Sequence, residues 1–117
     1  DAFADILSEL DPDTPLALWG AGSLAQRSLE LPWLKTRRIV AAVDRDSRKQ
    51  GLQLAGCTIS TPAEGLHKLP PETMVLILVA LDPEDAIREY LQLRLPYRYC
   101  SAAGLRRNDP GVAPGAG

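Results

Sequence analysis

The chain has 117 residues, enough for one domain with a single core, and its 45% hydrophobic and 24% charged content fits a folded globular protein, not a disordered one. A formal net charge of −2 leaves no electrostatic footprint for nucleic acid or an anionic membrane, so neither is expected as a partner. The longest apolar run, Met74 to Leu81, falls far short of the ~20 residues that span a bilayer.

No basic flank followed by an apolar core marks a signal peptide. Cys57 and Cys100 are too few and too far apart for a metal knuckle or a disulfide framework. Each reads as a small buried hydrophobe, and a reducing, cytoplasmic setting is expected. The chain opens on Asp rather than Met, which suggests either a trimmed chain or a domain cut from a longer protein.

Phe3, Ile6, Leu7 and Leu10 recur at helical spacing and predict a short amphipathic helix. The run Asp11-Pro12-Asp13-Thr14-Pro15 breaks it, so residues 1–15 read as an N-terminal helix and linker. Leu16–Trp19 is the first predicted strand and runs directly into Gly20-Ala21-Gly22-Ser23. Gly20 allows a tight turn, Gly22 lets backbone approach a phosphate, and Ala25 lets the following helix pack on its strand. That helix runs from Ser23 to about Leu31, where Pro32 ends or kinks it, and the N–H groups of its first turn face the anion.

The β-branched run Ile39-Val40-Ala41-Ala42-Val43, closed by Asp44, reads as a buried parallel strand. Arg45 to Gly51 is a charged surface turn. Gly56-Cys57-Thr58-Ile59 fits either a short extra strand or an extended connection. Thr61-Pro62-Ala63-Glu64 is a helix start, with Thr as N-cap, Pro at the first helical position and Glu completing a capping box; Pro70-Pro71 stops that helix. Met74–Ala80 is the central strand. Asp82-Pro83-Glu84-Asp85 repeats the capping pattern and launches a helix to about Leu95, with Ile87, Tyr90, Leu91 and Leu95 as its buried stripe. Tyr97–Ser101 is the last strand. Residues 105–117 carry almost no core-forming side chain and are expected to be a flexible tail or linker.

This alternation implies an α/β fold: a single small Rossmann-like three-layer domain over residues 16–104, with a mostly parallel sheet of four to five strands. The four main strands, numbered along the chain, are expected in the order 2-1-3-4, with a ligand crevice above the first. Asp44 lies at the ~20-residue offset beyond the glycine turn at which an acidic side chain reaches a ribose hydroxyl. The expected ligand is therefore a nucleotide, with phosphate held at Gly20, Ala21, Gly22 and Ser23 and ribose at Asp44. Ala80 and Asp82, at the carboxyl edge of the central strand, would hold the remainder.

Each of these residues also has a plainer role. The glycines suit any tight turn, Ser23 and Asp82 suit helix caps, and Asp44 suits a solvated strand end. Arg45 would favour a 2′-phosphate, but Asp44 opposes it by charge, so a plain ribose fits better. Arg45, Arg48 and Lys49 otherwise read as a solvated charged loop. His67 lies on a short helix with no triad partner at a suitable spacing, and no metal site is expected. Trp19 and Trp33 read as core or interface residues.

From Leu16 to about Gly104 the chain resembles small Rossmann-like domains attached to sugar-modifying enzymes. One group is the C-terminal domain of sugar C-methyltransferases, matched by Gly20-Ala21-Gly22, by Val43-Asp44-Arg45-Asp46, and by Lys49-Gln50-Gly51 through Leu54-Ala55-Gly56-Cys57-Thr58-Ile59. The other is the N-terminal domain of bacterial sugar O-acyl- and N-acetyltransferases, matched by the same turn and strand-end Asp, by Gly51 and Gly56, and by Pro62-Ala63-Glu64. The resemblance implies a nucleotide-sugar-binding module that is not catalytic alone and depends on a neighbouring catalytic domain or subunit. Two other readings are an NAD(P)-binding oxidoreductase domain and a docking or dimerisation domain without a small ligand, the last favouring a homo-oligomer.

Overall fold

The computed structural model describes residues 7–79 and 83–101. The central strand β1 (Leu16–Trp19) is buried at all four positions. It lies parallel to β2 (Ile39–Val43) on one side and to β5 (Met74–Ile77) on the other. A strand covered on both faces has to be apolar throughout, which is why these runs read as continuous rather than alternating. β6 (Arg98–Ser101) adds in parallel to β5, and β4 (Cys57–Ser60) in parallel to β2. The two-residue β3 (Gln53–Leu54) runs antiparallel to β4 and ends the sheet, whose order is β3-β4-β2-β1-β5-β6. The expected order of the four main strands is the observed β2-β1-β5-β6.

The stretch with two readings, Gly56 to Ile59, is a strand from Cys57 onward. Ala55 (φ 52°) and Gly56 (φ 80°) make the turn that returns the chain from β3 into β4. This antiparallel arm lets β4 pair in parallel with β2 without an intervening helix.

Strand residues alternate between the two faces. Leu16, Leu18, Ala42, Met74 and Leu76 meet Leu7, Leu10, Ala25 and Leu34 on one face. Ala17, Trp19, Val43, Val75 and Ile77 meet Leu66, Ala86, Ile87 and Tyr90 on the other. The first layer carries α1 (Ser23–Ser28) and α2 (Pro32–Lys35), and the second carries α3 (Pro62–Gly65) and α4 (Pro83–Gln92). The small α/β domain with its mostly parallel sheet is Rossmann-like. Among the described residues, no helix is long and apolar enough to cross a membrane.

Three helices depart from expectation. The first helix ends at Ser28. The Leu29 N–H still donates to Ala25 O at 3.1 Å, but the Glu30 and Leu31 N–H groups turn to the i−3 carbonyls of Arg27 (3.2 Å) and Ser28 (3.0 Å), the tighter bonding that closes many helices. Pro32 then opens α2 instead of closing α1, because proline at the first helical position forfeits no bond. α3 starts as predicted, with the Glu64 N–H donating to the Thr61 hydroxyl at 3.2 Å, but it ends at Gly65, well before Pro70. In α4 the buried stripe is Ala86, Ile87 and Tyr90, while Leu91 is 42% exposed.

Tyr90 packs edge-on against Trp19 (ring centroids 6.1 Å apart) and donates its hydroxyl to the Tyr97 carbonyl. The Tyr97 hydroxyl accepts the Leu69 N–H at 2.8 Å, so one buried relay ties α4 and the entry to β6 to the loop after α3. Cys100 is buried as expected and Cys57 is half-buried. Leu7 and Leu10 pack in the core. Phe3, Ile6, the side chain of Trp33 and the tail 105–117 lie outside the described residues.

Candidate functional site

β1 is the point where the sheet changes direction: the chain leaves it for β2 on one side and reaches β5 on the other. Crossovers diverge there, so the carboxyl ends of β1, β2 and β5 leave a crevice between them, the usual ligand position in open α/β sheets. A cleft of about 460 Å³ occupies it, within the range of roughly 300–1,000 Å³ typical of small-molecule sites. Its floor is Trp19, Gly20, Gly22 and Ser23. Its walls are Asp44, Arg45, Asp46 and Lys49 after β2, Leu78 and Val79 after β5, and Asp85 and Ala86 on α4.

The two glycines have different reasons to be glycine. Gly20 has φ +111°, and a Cβ there would lie 2.6 Å from the Leu78 carbonyl oxygen. It is squeezed between strands, with its N–H donating to Val43 O while Leu78 N–H donates to Trp19 O, both at 2.8 Å. Gly22 has an ordinary φ of −84°. A Cβ there would project toward the cleft and lie 3.3 Å from Lys49 Nζ. The turn is thus folded by Gly20 and kept open by Gly22.

Asp44 reaches across to this turn. Its Oδ2 accepts the Ala21 N–H at 2.8 Å and its Oδ1 accepts the Asp46 N–H at 2.8 Å. Its side chain remains 15% exposed, with Lys49 Nζ 4.0 Å from Oδ2. Arg45 leans the other way, to Glu89 (3.1 Å) and Asp85 (3.6 Å) on α4. Arg48 folds onto Asp46 at 2.9 Å, and this guanidinium, with the Arg48 N–H, holds the Asp46 carboxyl at about 2, below its ordinary 3.8.

Of the residues singled out in the sequence, Gly20, Gly22, Ser23, Asp44 and Arg45 meet at the cleft. Ala21 is buried at 4% exposure and contributes its N–H to Asp44. Ala80 and Asp82 lie outside the described residues. His67 is exposed, and among the described residues no cluster of His, Cys, Asp and Glu could hold a metal ion.

Lys49 and Asp46 were missed as cleft residues. The run Arg45 to Gly51 is charged like any surface loop, and its fold-back depends on Asp44 and Asp46 accepting N–H groups within the turn. The Asp44-Arg45-Asp46 pattern, with acids spaced for such turns, was the available signal.

No protein-family model matches the chain, and no curated protein matches it. Among solved structures it is similar to RSP in complex with beta-NAD+ and operator DNA, at 15% identity with a TM-score of 0.56, over 92% of this chain and 52% of that one. It is also similar to RSP described as a Rex-family repressor, at 15% identity with a TM-score of 0.55, over 92% and 54%. The chain spans about half the length of these proteins, and at this identity the likeness is one of fold. Neither is a sugar methyl- or acyltransferase, so the resemblance to those enzymes gains support only for its Rossmann-like architecture.

The expectation that charge rules out nucleic acid is corrected by the first neighbour, which carries this fold and is crystallised on operator DNA. Contacts to phosphate need a local basic patch, which can lie anywhere in a longer protein. The net charge of one Rossmann-like domain therefore does not decide whether its parent meets DNA.

Proposed function

We propose that this domain is a nucleotide-binding module, with NAD(H) as its best-supported ligand, acting as one part of a longer protein. The observation that carries the reading is the Asp44 carboxylate, held at the tip of β2 against the turn after β1 by the Ala21 N–H. Each of its oxygens accepts one backbone N–H and retains a further lone-pair direction. A ribose offers two neighbouring hydroxyl donors that such a carboxylate can accept. In this reading the turn of Gly20, Ala21, Gly22 and Ser23 is the seat of the phosphates. Gly22 and Ser23 present the N–H groups, because those of Gly20 and Ala21 go to Val43 O and Asp44. On sequence alone Ala80 and Asp82 extend the seat beyond β5. The solved neighbour described with beta-NAD+ supports NAD over a nucleotide-sugar.

Arg45 is engaged by Glu89 and Asp85, and Asp44 would repel a 2′-phosphate. Plain NAD+ is therefore favoured over NADP+, by at least roughly tenfold. Isothermal titration of the chain with NAD+, NADH, NADP+ and UDP-glucose tests this. NAD+ or NADH should bind tightest, and Asp44→Ala should weaken binding, with a thermal melt separating lost affinity from lost folding. No heat with either NAD form, or tighter binding of NADP+ or UDP-glucose, overturns the reading.

A further inference from the structure

The charges around the cleft are unevenly committed. Three carboxylates and two cations line it among the described residues. Asp46 is taken by Arg48 at 2.9 Å, while Asp85 is taken by Arg88 at 2.6 Å and by Arg45, which also reaches Glu89. What remains inside is one acid and one base, Asp44 and Lys49, whose ion pair is with each other. Their 4.0 Å separation is the longest of the ion pairs among the described residues. That is a loose contact at the edge of pairing distance, and the ammonium is 37% exposed.

The Lys49 ammonium also lies directly above Gly22, in the space a side chain there would enter. It thus crowns the part of the turn where backbone is bare, with a carboxylate beside it. A nucleoside 5′-phosphate presents the matching pair on one sugar: hydroxyl donors at one end and an anion at the other.

We propose that Lys49 is the phosphate-binding side chain of this cleft, so that the site selects nucleotides carrying a diphosphate over nucleosides. This rests on the nucleotide-binding reading above. Asp44 takes the ribose hydroxyls while Lys49 pairs with the diphosphate over Gly22, so the ligand engages both members of the loose pair. Arg45 is not the phosphate ligand in this arrangement, because moving it would break its ion pairs with Glu89 and Asp85. The Lys49 backbone N–H donates to Asp46 O at 3.0 Å, a bond that replacing the lysine side chain by alanine or arginine leaves in place.

The test is isothermal titration of the whole chain with NAD+, paired with ³¹P spectra of bound NAD+, for the wild type, Lys49→Ala, Lys49→Arg and Gly22→Ala. Lys49→Ala should weaken NAD+ roughly 10- to 100-fold, as expected for a lost charge-assisted bond, and should return the bound pyrophosphate resonances toward their free positions. Lys49→Arg should recover most of the affinity. Gly22→Ala, whose methyl would press on Nζ, should weaken NAD+ while leaving the melting temperature unchanged. If NAD+ binds the wild type and Lys49→Ala within about threefold, or if affinity falls with the ³¹P spectrum unaltered, the lysine assignment is wrong and the nucleotide site stands. If NAD+ fails to bind the wild type, both fall together.

Discussion

The contrast between Gly20 and Gly22 gives the most direct test of the turn. Gly20→Ala would force a side chain into φ +111° with its Cβ 2.6 Å from the Leu78 carbonyl oxygen and 3.1 Å from its carbonyl carbon. The partners are backbone atoms of Leu78 just past β5, so neither can rotate away as a side chain would. Holding a non-glycine residue in this backbone region costs about 1–3 kcal/mol, and overpacking adds about 1–3 kcal/mol; because one shift of the turn relieves part of both, the sum is about 3–4 kcal/mol. For a domain of this size that lowers the melting temperature by about 12–16 °C.

Gly22→Ala keeps an ordinary φ, and its Cβ meets only the flexible end of Lys49. Its stability should stay within about 0.5 kcal/mol of wild type. Urea and thermal denaturation followed by far-ultraviolet circular dichroism read both variants. A Gly20→Ala protein that melts within about 3 °C of the wild type would refute the proposed squeeze between β1 and β5.

Other substitutions probe what holds the site in place. Gly65→Ala would overlap Val43 Cγ1 and Ser60 Oγ and lift α3 from the sheet; a loss of about 2 kcal/mol is expected, read as a lower urea midpoint at constant slope. Tyr90→Phe removes the buried hydroxyl that donates to Tyr97 O and should cost about 1–2 kcal/mol, with an unchanged near-ultraviolet spectrum for Trp19 arguing that packing survives. The Asp46 carboxyl is held at about 2 by the Arg48 guanidinium. Since the folded value is the lower one, the stabilisation from this pair is complete above the ordinary carboxylate range and is lost as pH falls through about 2. A carbon-detected NMR titration should place the Asp46 midpoint near 2, and Arg48→Ala should return it toward the ordinary value; an ordinary midpoint in the wild type would refute the pairing.

The sheet order was legible because the central strands are short apolar runs buried on both faces, and because right-handed crossovers leave few arrangements. The turn and Asp44 were legible through spacing. The Thr61 cap was legible because a capping box is a local bond. What escaped depends on contacts remote in sequence or on small local rivals. β3 has two residues and no alternation, and its turn places the non-glycine Ala55 at positive φ. α1 stops because the Glu30 and Leu31 N–H groups turn to i−3 carbonyls, a choice invisible in an otherwise helical pattern. Lys49 belongs to the cleft only because the turn after Asp44 curls back, and no charge pattern distinguishes that from a loop pointing outward.

Asp44 has a second consequence for how such a site would work. A parallel sheet fixes its strands but leaves the loops at the carboxyl edge to find their own positions. Here the loop after β1 and the loop after β2 both donate N–H groups to one carboxylate, so folding itself orients the acceptor that would meet a ribose. Little ordering remains to be done on binding, and preorganisation of this kind preserves affinity. Lys49 differs, because its ammonium rides on a flexible stem and up to about 2 kcal/mol of rotamer freedom is lost when it is fixed. The rigid carboxylate would therefore set where the ligand sits. The mobile cation would add affinity only for a ligand with enough negative charge to hold it, and through that condition the proposed site would distinguish a diphosphate from a bare nucleoside.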